Sequence, residues 1–203
     1  MHELLAGAVG ERLELDAYLD DFDRHFWQVG QVGFWKLERQ QCFQESGDAS
    51  WEAFARGDWQ EALRLIEAGR AELEDEHRQV AQHGFTVNRV RVVQEPISPY
   101  LQWELHLLRV REECGSRVRV LSPEQVAAYE TTGPLPEIVV LGTDVMYEVL
   151  YDEQGVLVGG RRYTDAGLVR QWQRLVADLF AQGELLAEYF SRRVADLPAP
   201  RLS

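Results

Sequence analysis

Arg89-Val90-Arg91-Val92-Val93 and Arg117-Val118-Arg119-Val120-Leu121 both alternate guanidinium side chains with aliphatic ones. An extended strand sends successive side chains to opposite faces, so each segment sets two guanidiniums on one side. Planar guanidinium forks held on rigid strands bind carboxylate or phosphate in bidentate fashion. If the two strands pair, Arg89, Arg91, Arg117 and Arg119 gather into one anion clamp. Between them, Tyr100, Trp103 and Glu104 fall at i, i+3 and i+4 of a helix and share a face. With Glu95 they complete a candidate ligand-binding set of aromatic walls, arginines for an anionic group and a carboxylate for a polar or cationic one. A purely structural reading competes with this one: solvated sheet arginines, core aromatics, and Glu104 tying down Arg89 or Arg91. Arg161 and Arg162 could enlarge the patch.

Catalysis is less well served. Glu95 or Glu104 is the available general base, yet arginine neighbours lower a carboxylate pKa and weaken it as a base. No phosphate loop, Gly-x-Ser-x-Gly elbow, His-Glu-x-x-His or dinucleotide fingerprint occurs. Glu74-x-x-His77 has the spacing of half a di-metal site, but no second such motif exists, so a solvated acidic face is expected and no metal or cofactor. Cys42 and Cys114 are too few for a disulfide framework, and a buried structural thiol is expected at Cys114.

The elements that must position these residues follow from periodicity. Leu15, Leu19, Phe22 and Phe26 predict a helix over 11–28, and Phe34 to Phe43 a strand. Ser50 and Asp58 cap helices over 51–56 and 58–82, the second stopped by His83-Gly84. A strand at 86–93, a helix at 98–113 opened by Ser98-Pro99, and a strand at 117–121 follow; the helix is long enough to cross over and set the strands parallel and adjacent. A short helix from Pro123 to about Tyr129, a strand at 138–141 and a hairpin (144–151, 156–163) precede one long helix from Thr164 that runs past Phe190. The expectation is an α+β fold, possibly α/β: a mixed five- to six-stranded sheet packed with helices. An acidic, mainly helical portion (1–83) precedes a sheet domain (84–195), or the two form a single domain.

The chain of 203 residues carries a net charge of −13, with 45% apolar residues. The charge divides as −10 over residues 1–83, +2 over 84–122 and −5 over 123–203. Such acidity argues against direct nucleic-acid binding, while a local cationic pocket suits a small anion or an acidic segment. Lys36 is the only lysine beside twenty arginines, so arginine abundance alone is no signal. No apolar run reaches membrane-spanning length, and Met1-His2-Glu3-Leu4-Leu5 lacks a signal-peptide pattern, so a cytoplasmic protein off the membrane is expected.

The stretch Arg89-Val-Arg91-Val-Val-Gln-Glu95-Pro96-Ile-Ser98-Pro-Tyr100-Leu-Gln-Trp103-Glu104 resembles the signature of an actinobacterial family of unknown function whose members are often encoded near helix-turn-helix regulators. Gly115-Ser-Arg117-Val-Arg119-Val-Leu, Phe34-Trp-Lys-Leu37-Glu38 and the final helix near Tyr189 extend the resemblance over most of 20–190. It implies no activity, but it implies a helix-turn-helix regulator or another protein as partner. The expected function is a non-enzymatic regulatory or adaptor protein binding an acidic peptide or small anionic ligand. The alternative is an enzyme of specialised metabolism acting on a small carboxylate- or phosphate-bearing substrate.

Overall fold

The computed structural model describes Leu5 and residues 7–201, so Met1–Leu4 of the opening segment Met1–Leu5 read above lie outside the described residues. Eight strands form one mixed sheet in the order β1-β7-β6-β5-β2-β3-β4-β8. They are β1 (Glu11–Glu14), β2 (Phe34–Glu38), β3 (Val87–Val92), β4 (Arg117–Leu121), β5 (Ile138–Leu141), β6 (Val145–Tyr151), β7 (Leu157–Tyr163) and β8 (Glu184–Leu185). The parallel trio β2-β3-β4 is continued by antiparallel neighbours on both sides. This is the expected α+β class with two strands more than the periodicity shows.

The helices are α1 (Leu15–Phe26), α2 (Ala49–Ala55), α3 (Trp59–Ala68), α4 (Arg70–Gln82), α5 (Pro99–Cys114), α6 (Pro123–Val126), α7 (Ala166–Gln182) and α8 (Leu186–Arg193), with 3-10 turns at Gly30–Val32 and Ala127–Tyr129. Among the described residues no helix is long and apolar enough to cross a membrane. Ser98 caps α5 as expected, its Oγ accepting from Leu101 N–H at 3.1 Å. α5 is the crossover that sets β3 and β4 parallel.

The sheet is covered on both faces. On one, Trp172, Val176 and Leu179 of α7 pack on Leu37, Val90, Val92, Ile138 and Met146. On the other, Trp103, Leu105 and Leu108 of α5 pack on Val118 and Val120, while Tyr18 and Phe26 of α1 cover Phe34, Val139 and Tyr147. Residues before 84 thus supply β1, the central β2 and one covering helix.

Three predicted helices break, two of them where strand pairing outweighs local periodicity. The helix predicted from Thr164 through Phe190 stops at Gly183, and Glu184–Leu185 instead pairs with the open edge of β4. A Cβ on Gly183 would lie 2.7 Å from that of Arg119, so only glycine lets the chain approach so closely. The helix predicted over 58–82 divides at Gly69, and the start of the one predicted over 11–28 is strand β1, paired with β7. That pairing relies on Gly159, which has φ +141° and whose Cβ would fall on the Leu13 carbonyl oxygen. Gly159→Ala is expected to cost about 1–3 kcal/mol, read as a lower urea midpoint, and to free β1 for proteolysis first.

Candidate functional site

The four arginines do not converge. Across the β3–β4 ladder Arg89 stands opposite Val118, and Arg91 opposite Val120. That register, one residue away from matching arginine with arginine, turns Arg117 and Arg119 to the opposite face of the sheet. Arg119 lies over the Phe180 ring of α7 at 4.9 Å, and Arg117 is exposed at the strand start. Arg161 and Arg162 are engaged elsewhere, by Glu148 and by Asp21 with Glu11. The single clamp of Arg89, Arg91, Arg117 and Arg119 is therefore corrected to a pair, Arg89 and Arg91, facing α1 and α5.

That pair sits in a buried charge network. Strand period 2 brings Lys36 and Glu38 of β2 onto the same face, in register with Arg89 and Arg91. Glu38 bridges two cations, with Lys36 Nζ at 2.6 Å from Oε1 and Arg89 Nη1 at 2.5 Å from Oε2. Arg91 is wholly buried; its Nε donates to Glu104 Oε2 at 2.7 Å, and its Cζ lies 5.8 Å from the centre of the Phe43 ring. Burial opposes the Glu38 charge, but Arg89, Lys36 and Arg91 together outweigh it and hold the carboxyl below its ordinary range. Burial raises the Glu104 carboxyl, with Arg91 acting against the rise.

Tyr100 and Trp103 are core residues, 4% and 1% exposed. Trp103 stacks on Phe54, and Tyr100 O–H donates to Glu45 Oε1 at 2.9 Å. Of the expected set, Tyr100, Trp103 and Glu104 therefore build the wall behind the site. Glu95 lies elsewhere, in a cleft of about 630 Å³ beyond the carboxyl ends of β3 and β4. There it accepts from Tyr189 O–H at 3.3 Å and pairs with Arg193 at 3.2 Å.

In front of the network, between α1 and the α4–α5 pair, lies a cavity of about 450 Å³. Phe22, Phe26, Phe34 and Tyr151 give it aromatic walls, and Lys36, Glu38 and Arg89 form its floor. Arg111 also lines it, seven residues and two helical turns beyond Glu104 on the same stripe of α5. Among the described residues the Arg111 guanidinium has no hydrogen bond or ion pair, and burial together with Arg89 depresses its pKa. The larger cleft at the strand ends is less inviting to an anion, because its arginines are already matched: Arg192 with Glu184 and Arg193 with Glu95. Burial of an unmatched guanidinium singles out the smaller cavity.

Sequence reasoning missed Lys36, Glu38 and Arg111. The signals existed: Phe34, Lys36 and Glu38 alternate on one strand face, and Arg111 repeats Glu104 at helical spacing. Reasoning also missed a buried pair, Ser116 Oγ and His77 Nε2 at 2.9 Å, where His77 was expected on a solvated face. The adjoining N–H groups of Gly115 and Ser116 are spent on the Glu112 and Arg111 carbonyls, so these two backbone donors do not form an oxyanion site beside it. Both cysteines are free, Cys114 half-buried and Cys42 exposed. Among the described residues no group of three or more His, Cys, Asp or Glu is placed to hold a metal ion.

No curated protein matches the chain. A family model described as a domain of unknown function (DUF6879) matches residues 20–191, a span that contains the charge network and most of the cavity lining. The chain therefore belongs to the DUF6879 family of domains of unknown function.

Proposed function

We propose that this is a non-enzymatic regulatory or adaptor protein that binds a small anionic ligand in the cavity between α1 and α5. Ligand occupancy would alter how its helical surfaces engage a protein partner, such as a helix-turn-helix regulator. One observation carries the reading: Arg111 is an unmatched guanidinium lining an aromatic-walled cavity, beside an Arg89 whose own partner is shared with Lys36. A ligand acid on Arg111 would supply the charge-assisted hydrogen bonds that the protein withholds. The volume lies within the range of about 300–1,000 Å³ usual for small-molecule sites. A bounded cavity also favours a small molecule over an extended acidic peptide.

The enzyme alternative is disfavoured by where its bases lie. Glu104 is buried behind the cavity on Arg91, and Glu95 faces the other cleft. Neither is within reach of a ligand held by Arg111.

The test is a thermal shift against 3-phenylpropionate, indole-3-acetate and phenyl phosphate at low salt. At least one is expected to raise Tm by about 3–5 °C at tenfold excess over its Kd. Arg111→Met, which breaks no internal pair, should stay folded and lose the response. A flat response across the three, or one that Arg111→Met retains, rejects the reading.

A further inference from the structure

The cavity holds a second unmatched charge. Glu76 of α4 lines it beside Arg111 of α5, and among the described residues the Glu76 carboxylate has no hydrogen bond or ion pair. The two side chains feel each other's charge yet stand beyond the 4 Å of an ion pair. Of the other charges in the cavity, Glu38 is committed to Lys36 and Arg89 and Glu45 to the Tyr100 hydroxyl, while Asp23 is exposed on the α1 side of the lining. A plain anion would satisfy Arg111 but meet repulsion from Glu76. A plain cation would do the reverse. A guest bearing both signs close together answers both, since each charge meets its opposite and the carboxylate and ammonium need not be separated by much.

The rest of the wall sets the guest's body. Phe22 stacks on Phe26 at 5.6 Å and meets Phe34 edge-on at 6.2 Å, so a continuous ring surface faces the charged side. Trp27, 37% exposed, and Asp23 stand at the outer end of the same wall. Trp27 and Glu76 also bound a shallower neighbouring groove, so the mouth opens over the acidic face of α4.

We infer that the guest is a dipolar, amino-acid-like molecule, its carboxylate on Arg111, its ammonium on Glu76 and its apolar group against Phe22, Phe26 and Phe34. This rests on the reading above that Arg111 receives an anion. Three matched probes separate the two: L-phenylalanine, 3-phenylpropionate, which lacks the ammonium, and 2-phenylethylamine, which lacks the carboxylate. Titration calorimetry at low ionic strength is expected to show phenylalanine binding about fivefold tighter than phenylpropionate, with the amine weakest. Glu76→Gln, a half-buried position with no internal partner, should erase the fivefold gap and leave phenylpropionate unweakened, while Arg111→Met abolishes both acids. If phenylpropionate matches or exceeds phenylalanine, or the gap survives Glu76→Gln, the dipolar inference falls and the anion site stands. If neither acid binds, or both bind Arg111→Met as well as the native protein, the anion site falls with it.

Discussion

Arg91→Met is expected to cost the fold about 3–5 kcal/mol, measured as the loss of unfolding free energy in urea. The side chain is wholly buried, and its guanidinium is the hydrogen-bonded partner of Glu104, itself 5% exposed. Nη1 also donates to the carbonyls of Glu38 and Val92 at 3.4 and 3.3 Å. Methionine fills much of the volume but leaves the Glu104 carboxylate buried without a counter-charge, which is where the cost arises. Adding Glu104→Met should therefore recover much of the loss, because neither charge then remains in the interior. Arg119→Met gives the contrast. Its guanidinium lies over Phe180 and has no ion pair among the described residues, so its removal should cost no more than about 1 kcal/mol. Equal costs for Arg91→Met and Arg119→Met would contradict the arrangement.

That contrast between two near-identical segments marks what a single sequence can and cannot disclose. Alternation in 87–92 and 117–121 identified both strands, and the length between them identified the crossover, because both follow from local geometry. The relative register did not follow. A strand covered on only one face must turn its valines inward, which would have fixed both segments alike. Here helices cover both faces, so β3 sends Val90 and Val92 towards α7 while β4 sends Val118 and Val120 towards α5. Either parity buries valines, and only the packing of α5 chooses between them. The same limit hid the cavity. Phe22 and Phe26 announce an amphipathic helix, and Glu104 with Arg111 a helical stripe, but that α1 and α5 face each other across β2 and β3 depends on strand order. Glu184–Leu185 shows the limit most sharply, since a periodic helix pattern yields there to a vacant strand edge.

Glu137→Gln is expected to gain stability relative to the native protein as pH rises from 5 to 8, by on the order of 3 kcal/mol in total. Glu137 precedes β5 on the same sheet face as Glu38 and Arg91, and it is 7% exposed. Its Oε1 accepts from the backbone N–H groups of Arg39 and Gln40 at 2.8 and 2.6 Å, while Oε2 has no hydrogen-bond partner among the described residues. Burial pushes its carboxyl up to about 7 from an ordinary 4.5, with the Glu38 charge adding and Arg91 opposing. A carboxyl raised in the folded state is neutral there while the unfolded chain has already ionised. The fold is thus unpenalised below about pH 4.5 and loses stability as pH climbs through 7, where the penalty becomes constant. Glutamine keeps an oxygen for the two N–H donors and cannot ionise, so its pH profile should lack this descending limb. The offset between the two proteins at pH 5 reflects how the amide packs; the prediction concerns how their difference grows with pH. Parallel urea titrations at pH 5, 6, 7 and 8 measure it. A difference that stays constant across those four values would mean that Glu137 is ionised throughout, held so by Arg91 across the buried network.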